Sequence, residues 1–199
     1  MVKPARFYQL NEVNMKEQVD LKGILKAGKL TNELDLERAL ILDRKLRLLV
    51  KDDPELFNSR KRLRSIIKQY EKANWSKESV IDELKIKESD IGEFIAEQER
   101  IFLDNRRNTI KEKLDKLKIT QQELGKILGH GKTYMSELMN GVSPFGMRDL
   151  IILHRLFGIK LENLIPTIIS QKDRVKIMTS LTELNKPELK LEKEILVFA

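Results

Sequence analysis

From about Asn32 the apolar residues recur three and four positions apart, as in Leu36, Ala39, Leu40, Leu46 and Val50, with charged residues between them. That is the period of a helix with one buried face. The pattern predicts a first helix from about Asn32 to Val50. It stops at Lys51-Asp52-Asp53-Pro54-Glu55, where Asp53 can cap a second helix and Pro54 can occupy its first turn, because proline's missing N–H is not needed there. The second helix runs to about Ala73 with Leu56, Leu63, Ile66, Ile67 and Tyr70 on one side, and a tight acidic turn between two long helices predicts an antiparallel hairpin. Beyond it, Ser76 is a suitable N-cap for a short helix to about Leu84, with Trp75 stapled onto Val80. Ser89 is a second cap, opening a helix through Asp104 with Ile91, Phe94, Ile95, Ile101 and Phe102 inward. Residues 1–30 are weakly patterned and predict a short strand, a helix or a loose arm.

Five short helical periods follow between Arg106 and Pro166. Thr120 can cap a helix whose Glu123 bonds back to the Thr120 N–H, a capping box. The helix Gln121–Leu128 then buries Leu124, Ile127 and Leu128 and ends at Gly129, a residue free to take positive φ. After a short turn, a helix from Lys132 buries Met135 and Leu138 and ends at Gly141. Two short helices joined by a tight glycine turn cross steeply, so the second projects from the body and exposes Lys132, Thr133, Tyr134, Ser136 and Glu137. A further helix over 171–185 precedes an alternating tail with Leu189, Leu191, Ile195 and Val197, which suits a strand or a docking segment. The predicted fold class is all-α, in three regions: residues 1–104, 105–168 and 169–199.

Composition narrows the chemistry. The 199 residues include no cysteine, which excludes disulfides, Cys-ligated metal sites and a thiol nucleophile. Two histidines, His130 and His154, are too few for a His-rich metal site, and they read as a loop residue and a satisfied, partly buried residue. No apolar run reaches the roughly 20 residues of a membrane span, and the start has no apolar core like that of a signal peptide; a cytoplasmic protein is expected. There is no nucleophile elbow, Gly-rich phosphate loop or HExxH motif, so neither an enzyme nor a bound cofactor is expected. Met135 and Met139 read as core.

The net charge of +7 is unevenly placed: residues 1–104 carry 21 bases and 20 acids, residues 105–169 carry 11 and 6, and residues 170–199 carry 6 and 5. The basic excess of the middle region suits a polyanion. Residues 78–104 run the other way, with nine acids against three bases.

Residues 105–168 resemble the helix-turn-helix domain of the phage-repressor (Cro/C1, Xre) family, a five-helix lambda-repressor-like fold. The resemblance is carried by Thr120-Gln121-Gln122-Glu123-Leu124, Gly129, Met135, Leu138, Asn140-Gly141 and Leu156-Phe157-Gly158-Ile159. It implies that the second short helix enters the major groove of double-stranded operator DNA. Lys132, Thr133 and Glu137 then match base-reading positions and Gln121 a phosphate contact. Lys132 suits guanine O6/N7 and Glu137 suits cytosine N4. Ser136 assists; Tyr134 bonds a phosphate, meets a thymine methyl or packs beside Leu150; and Arg106, Arg107, Lys111 and Arg148 hold the DNA backbone. Where the family often has basic residues after Asn-Gly, this chain has Val142 and Ser143.

The hairpin, acidic linker helix and helix-turn-helix together resemble the HigA-type antitoxins over about residues 33–165. Leu36-Glu37-Arg38-Ala39-Leu40, Asp52-Asp53-Pro54-Glu55, Gly131-Lys132-Thr133-Tyr134-Met135-Ser136 and Asn140-Gly141 carry that likeness. It implies a homodimer that neutralises a small basic mRNA-cleaving toxin and represses its own operon. An RNase must be basic to hold RNA, so its inhibitor benefits from an acidic surface. Residues 78–104, with Asp90, Glu93 and Glu97, can supply it, as can the face with Glu33, Asp35, Glu37 and Asp43. Arg60, Lys61, Arg62, Arg64 and Lys68 form a basic cluster that suits DNA or solvent. The rival readings are a stand-alone phage-type or metabolic repressor without a toxin partner, and an adaptor using the fold only as scaffold.

Overall fold

The computed structural model describes residues 20–51, 53–76, 81–166, 171–186 and 188–191. They form α1 (Leu21–Ala27), α2 (Glu33–Leu49), α3 (Leu56–Trp75), α4 (Glu83–Leu117), α5 (Gln121–Leu128), α6 (Lys132–Met139), α7 (Met147–Phe157), a 3₁₀ turn (Leu161–Asn163) and α8 (Gln171–Leu184). The fold is all-α. No helix among the described residues is long and apolar enough to cross a membrane. Val80 and the apolar end of the C-terminal tail lie outside the described residues, as do positions 1–19.

Local chemistry accounts for the helix ends. The Asp20 carboxylate accepts from the N–H groups of Lys22 (3.0 Å) and Gly23 (3.2 Å) and starts α1, while the Asn32 side chain accepts from Asp35 N at 2.8 Å and starts α2. In the interhelical turn Asp53 Oδ1 accepts from Glu55 N at 3.1 Å. The hairpin buries Leu36, Ala39, Leu42 and Leu46 of α2 against Leu63, Ile66 and Ile67 of α3, with Leu21 and Leu30 closing one end.

Between the hairpin and α5 the structure differs from the sequence reading. Helix α3 ends at Trp75, with Ser76 in extended conformation after it, and one helix of 35 residues starts at Glu83. Its cap is Asp82, whose Oδ1 accepts from Lys85 N at 2.9 Å, and Ser89 lies inside it. Serine costs a helix interior only a few tenths of a kcal/mol, and α4 has no proline to stop it. The side that meets α2 is carried by Gly92, Ala96 and Leu103, so Ile91 and Phe94 point outward at 52% and 58% exposure, and Ile95, Ile101 and Phe102 are half-buried.

The contact with α2 is close. A Cβ on Gly92 would stand 3.0 Å from Leu34 N and 3.1 Å from the Glu33 carbonyl carbon, so glycine is what lets the two backbones approach. Buried Arg38 of α2 grips Glu99 of α4 through both carboxylate oxygens, Nε reaching Oε2 at 2.8 Å. Buried Glu33, at the start of α2, accepts from the Tyr70 hydroxyl at 2.9 Å and from Trp75 Nε1 at 3.1 Å. Burial, then this bond, pushes the Tyr70 phenol well above its ordinary range.

The expected boundary at 104–105 falls inside α4, and residues 20–165 form one compact unit to which α8 does not belong. From Ile110 onward α4 serves as the first helix of a second core, made with Leu124, Leu128, Met135, Leu138, Met139, Leu153, Phe157, Ile159 and Leu164.

Candidate nucleic-acid interface

The two short helices α5 and α6 are built by the expected signals. Thr120 Oγ1 accepts from Glu123 N at 3.2 Å, and Glu123 Oε2 accepts from Thr120 N at 2.7 Å. The Thr120 N–H and the Thr120 hydroxyl, which also donates to Glu123 Oε2 at 2.8 Å, hold the Glu123 carboxyl below its ordinary pKa. Gly129 takes φ +81° and ends α5. At the crossing, a Cβ on Gly125 would stand 3.0 Å from the His130 carbonyl oxygen, so α5 and the turn into α6 lie in direct contact. Leu124 and Leu128 are buried, whereas Ile127 is 45% exposed, one position beyond the stripe that meets the core.

Helix α6 turns Met135, Leu138 and Met139 inward and leaves Lys132 and Thr133 exposed on its first turn. Lys132 makes no hydrogen bond or ion pair among the described residues, so its ammonium is available to a base edge or a phosphate. Ser136 is half-buried, and its carbonyl accepts from Asn140 Nδ2 at 2.8 Å. Gln121 sits on the first turn of α5 in an open groove of about 560 Å³ with Lys111, Asp115, Lys118 and Thr120. That grouping offers a phosphate two lysines and a helix N-terminus, against the one carboxylate of Asp115.

Other predicted contacts serve the fold. Arg106 is buried at 3% exposure and donates to the Leu164 carbonyl at 3.2 Å, with Phe102 and Phe145 against its guanidinium; burial pushes it down to about 10. It pins α4 to the 3₁₀ turn and is not placed to meet DNA. Arg107 donates to Asn140 Oδ1 at 3.2 Å, and Arg148, although largely exposed, donates to the Leu128 carbonyl at 2.8 Å. Glu137 accepts from the Ser143 hydroxyl at 2.8 Å, which ties it to the loop after α6 instead of leaving it open to cytosine. Tyr134 is half-buried on the core and meets the His130 ring edge-on at 5.1 Å. His130 Nε2 lies 3.0 Å from buried Asp149, which caps α7 through Gly146 N, and His154 Nδ1 lies 2.8 Å from the Ile159 carbonyl.

The loop after Asn140-Gly141 faces inward. Val142 is fully buried in the hairpin core and Ser143 is 2% exposed. The Val142 carbonyl accepts from Leu21 N of α1 at 3.3 Å. Gly141, at φ +66°, has room for a Cβ only 3.0 Å from Leu103 and 3.4 Å from Lys45 Nζ. The hairpin therefore occupies the place where basic residues would otherwise emerge. Helix α1, packed on this loop, also brings forward Lys22, whose ammonium lies 4.9 Å from the centre of the Tyr134 ring and which no pattern in the sequence singles out.

The acidic stretch has its own geometry. Asp90, Glu93 and Glu97 line one side of a groove between α4 and α2, with Glu37, Ile41 and Arg44 on the other and Phe94 at its edge. Burial and the Glu93 carboxylate push the Glu37 carboxyl above its ordinary pKa. Glu97 is paired with Arg100 at 2.6 Å, which lowers its pKa, while Asp90 and Glu93 form no ion pair among the described residues. The alternative acidic face does not assemble: Glu33 is held by Tyr70 and Trp75, Asp35 by Thr31 and Asp43 by Arg60 at 2.8 Å. The same pairing removes Arg60 from the basic cluster, and Arg62 is turned to the Leu25 carbonyl at 3.3 Å.

No curated protein and no solved structure matches the chain. Residues 110–164 match the helix-turn-helix family model, from fully buried Ile110 to fully buried Leu164, so this part of the chain is similar to helix-turn-helix domains of the Cro/C1 type.

Proposed function

We propose that this chain is a sequence-specific DNA-binding antitoxin: as a homodimer it represses its own operon through α6, and through the α2–α4 groove it neutralises a small, basic, mRNA-cleaving toxin. The observation that carries the toxin half is the groove itself. Three acids of α4 meet Glu37 of α2 beside the exposed Phe94 ring, and burial and the Glu93 carboxylate hold Glu37 above its ordinary pKa although Arg44 opposes them, so the groove favours a further cation such as a lysine or arginine of a basic partner. On the DNA side, Lys132 and Thr133 are the base readers, with Gln121, Lys111 and Lys118 on the phosphates.

Two experiments test the halves separately. A mobility shift on the DNA upstream of the gene should show binding that Lys132→Ala weakens by about 1–3 kcal/mol, the worth of one base contact; unaltered affinity removes Lys132 from base reading. Co-expression with the small basic protein of the adjacent reading frame should yield a stable complex and relieve its toxicity. If that neighbour does not bind, the chain is a stand-alone repressor.

A further inference from the structure

We propose that Lys22 of α1 is a DNA-backbone contact, so that the N-terminal region contributes a phosphate-binding cation at the edge of α6. The inference rests on DNA binding through α6. Helix α1 is fixed against the helix-turn-helix domain and is not a free arm: Leu21 is buried, its N–H donates to the Val142 carbonyl at 3.3 Å, and Arg62 of α3 holds the Leu25 carbonyl at 3.3 Å. Asp20 fixes the first turn through the Lys22 and Gly23 N–H groups. The Lys22 side chain is exposed and places its ammonium 4.9 Å from the ring centre of Tyr134 on α6, the residue that follows exposed Thr133 in sequence.

Its ammonium rests over the Tyr134 ring and has no acidic partner among the described residues. Lys22 forms no ion pair among the described residues, whereas Arg106 is buried and Arg107 is engaged by Asn140 and Asp104. The same α1 contact that covers Val142 thus supplies a cation on the adjoining surface. A lysine there meets a phosphate flanking the groove that α6 enters, and such a contact strengthens binding without choosing a sequence.

The test is the salt dependence of binding to a labelled duplex from the region upstream of the gene. Neutralising one phosphate contact lowers the slope of log K against log salt by about 0.9, equivalent to about an eightfold loss at 0.1 M salt. Lys22→Ala should show this loss, and Lys22→Arg should restore it. Lys87→Ala is the control of equal charge: it is exposed, and sixteen residues of α4, about 24 Å, separate it from the Leu103 contact with Gly141. A Lys22→Ala slope equal to that of Lys87→Ala overturns the assignment while leaving α6 binding intact. A wild-type chain that leaves the duplex unbound overturns the α6 reading and this assignment with it.

Discussion

At the scale of single residues, two positions join the hairpin to the rest of the unit by opposite means. Gly92 works by having no side chain. Alanine is the better helix former by about 0.5–1 kcal/mol, but its Cβ would press on backbone atoms of Glu33 and Leu34, which cannot rotate away as a side chain would. Overpacking of this kind costs about 1–3 kcal/mol, so Gly92→Ala should lower stability in urea denaturation, where propensity alone predicts a gain. Lys45 works at a cost. Its ammonium is buried without a hydrogen bond among the described residues, and burial lowers its pKa, Asp104 opposing and Arg107, Arg100 and Arg106 adding to the shift. The folded state therefore releases this proton at lower pH than the unfolded chain, whose lysine titrates near 10.4. The penalty is full at neutral pH and is relieved as pH rises from the folded value towards about 10.4, because the unfolded state binds more protons in that window. Lys45→Met should raise the urea midpoint at pH 7 and narrow its advantage over wild type at pH 10.

At the scale of elements, the sequence was readable wherever a boundary depends on chemistry local to it. Asn32, Thr120 with Glu123, and Gly129 each mark a helix end through bonds made within four residues, and the structure places those ends where the signals put them. The long helix was harder to read because Ser89 has the side chain of a cap yet lies inside α4, whereas Asp82, seven residues earlier, carries the cap. Which side of α4 is inward depends on Gly92 and Ala96, small residues that an apolar count passes over in favour of Ile91 and Phe94. Arg106 misleads for a related reason. Charge suggests phosphate, but its fate is decided by the 3₁₀ turn 58 residues later in sequence, whose Leu164 carbonyl it meets. Phe102, four positions before it, was the one local hint, since aromatic rings and guanidinium groups stack at that spacing.

At the scale of the whole molecule, the division of charge seen along the chain becomes a division of surfaces. The acids of α4 face the groove with α2, and the cations of α5 and α6 lie beyond Ile110, with thirteen residues of helix, about 20 Å, between Glu97 and the start of the DNA-binding core. If the proposed basic toxin is the partner, reversal of Asp90, Glu93 and Glu97 to lysine should reduce its association rate about tenfold or more at low salt, since steering by charge spans 10–10³ in rate. Stopped-flow measurement should show the difference shrinking as salt shortens the Debye length to about 8 Å, with no loss of DNA affinity.

The unbroken course of α4 sets a condition on sequence length. A flexible connection would tolerate an extra residue between the hairpin and the DNA-binding core, whereas in a continuous helix each residue added turns everything beyond it by about 100° and advances it by about 1.5 Å. One insertion between Glu99 and Leu103 would leave Arg38 gripping Glu99 while swinging Gly141 away from Lys45. The two halves of this unit are thus in phase, and a change in length within α4 cannot be absorbed without breaking one of its two sets of contacts.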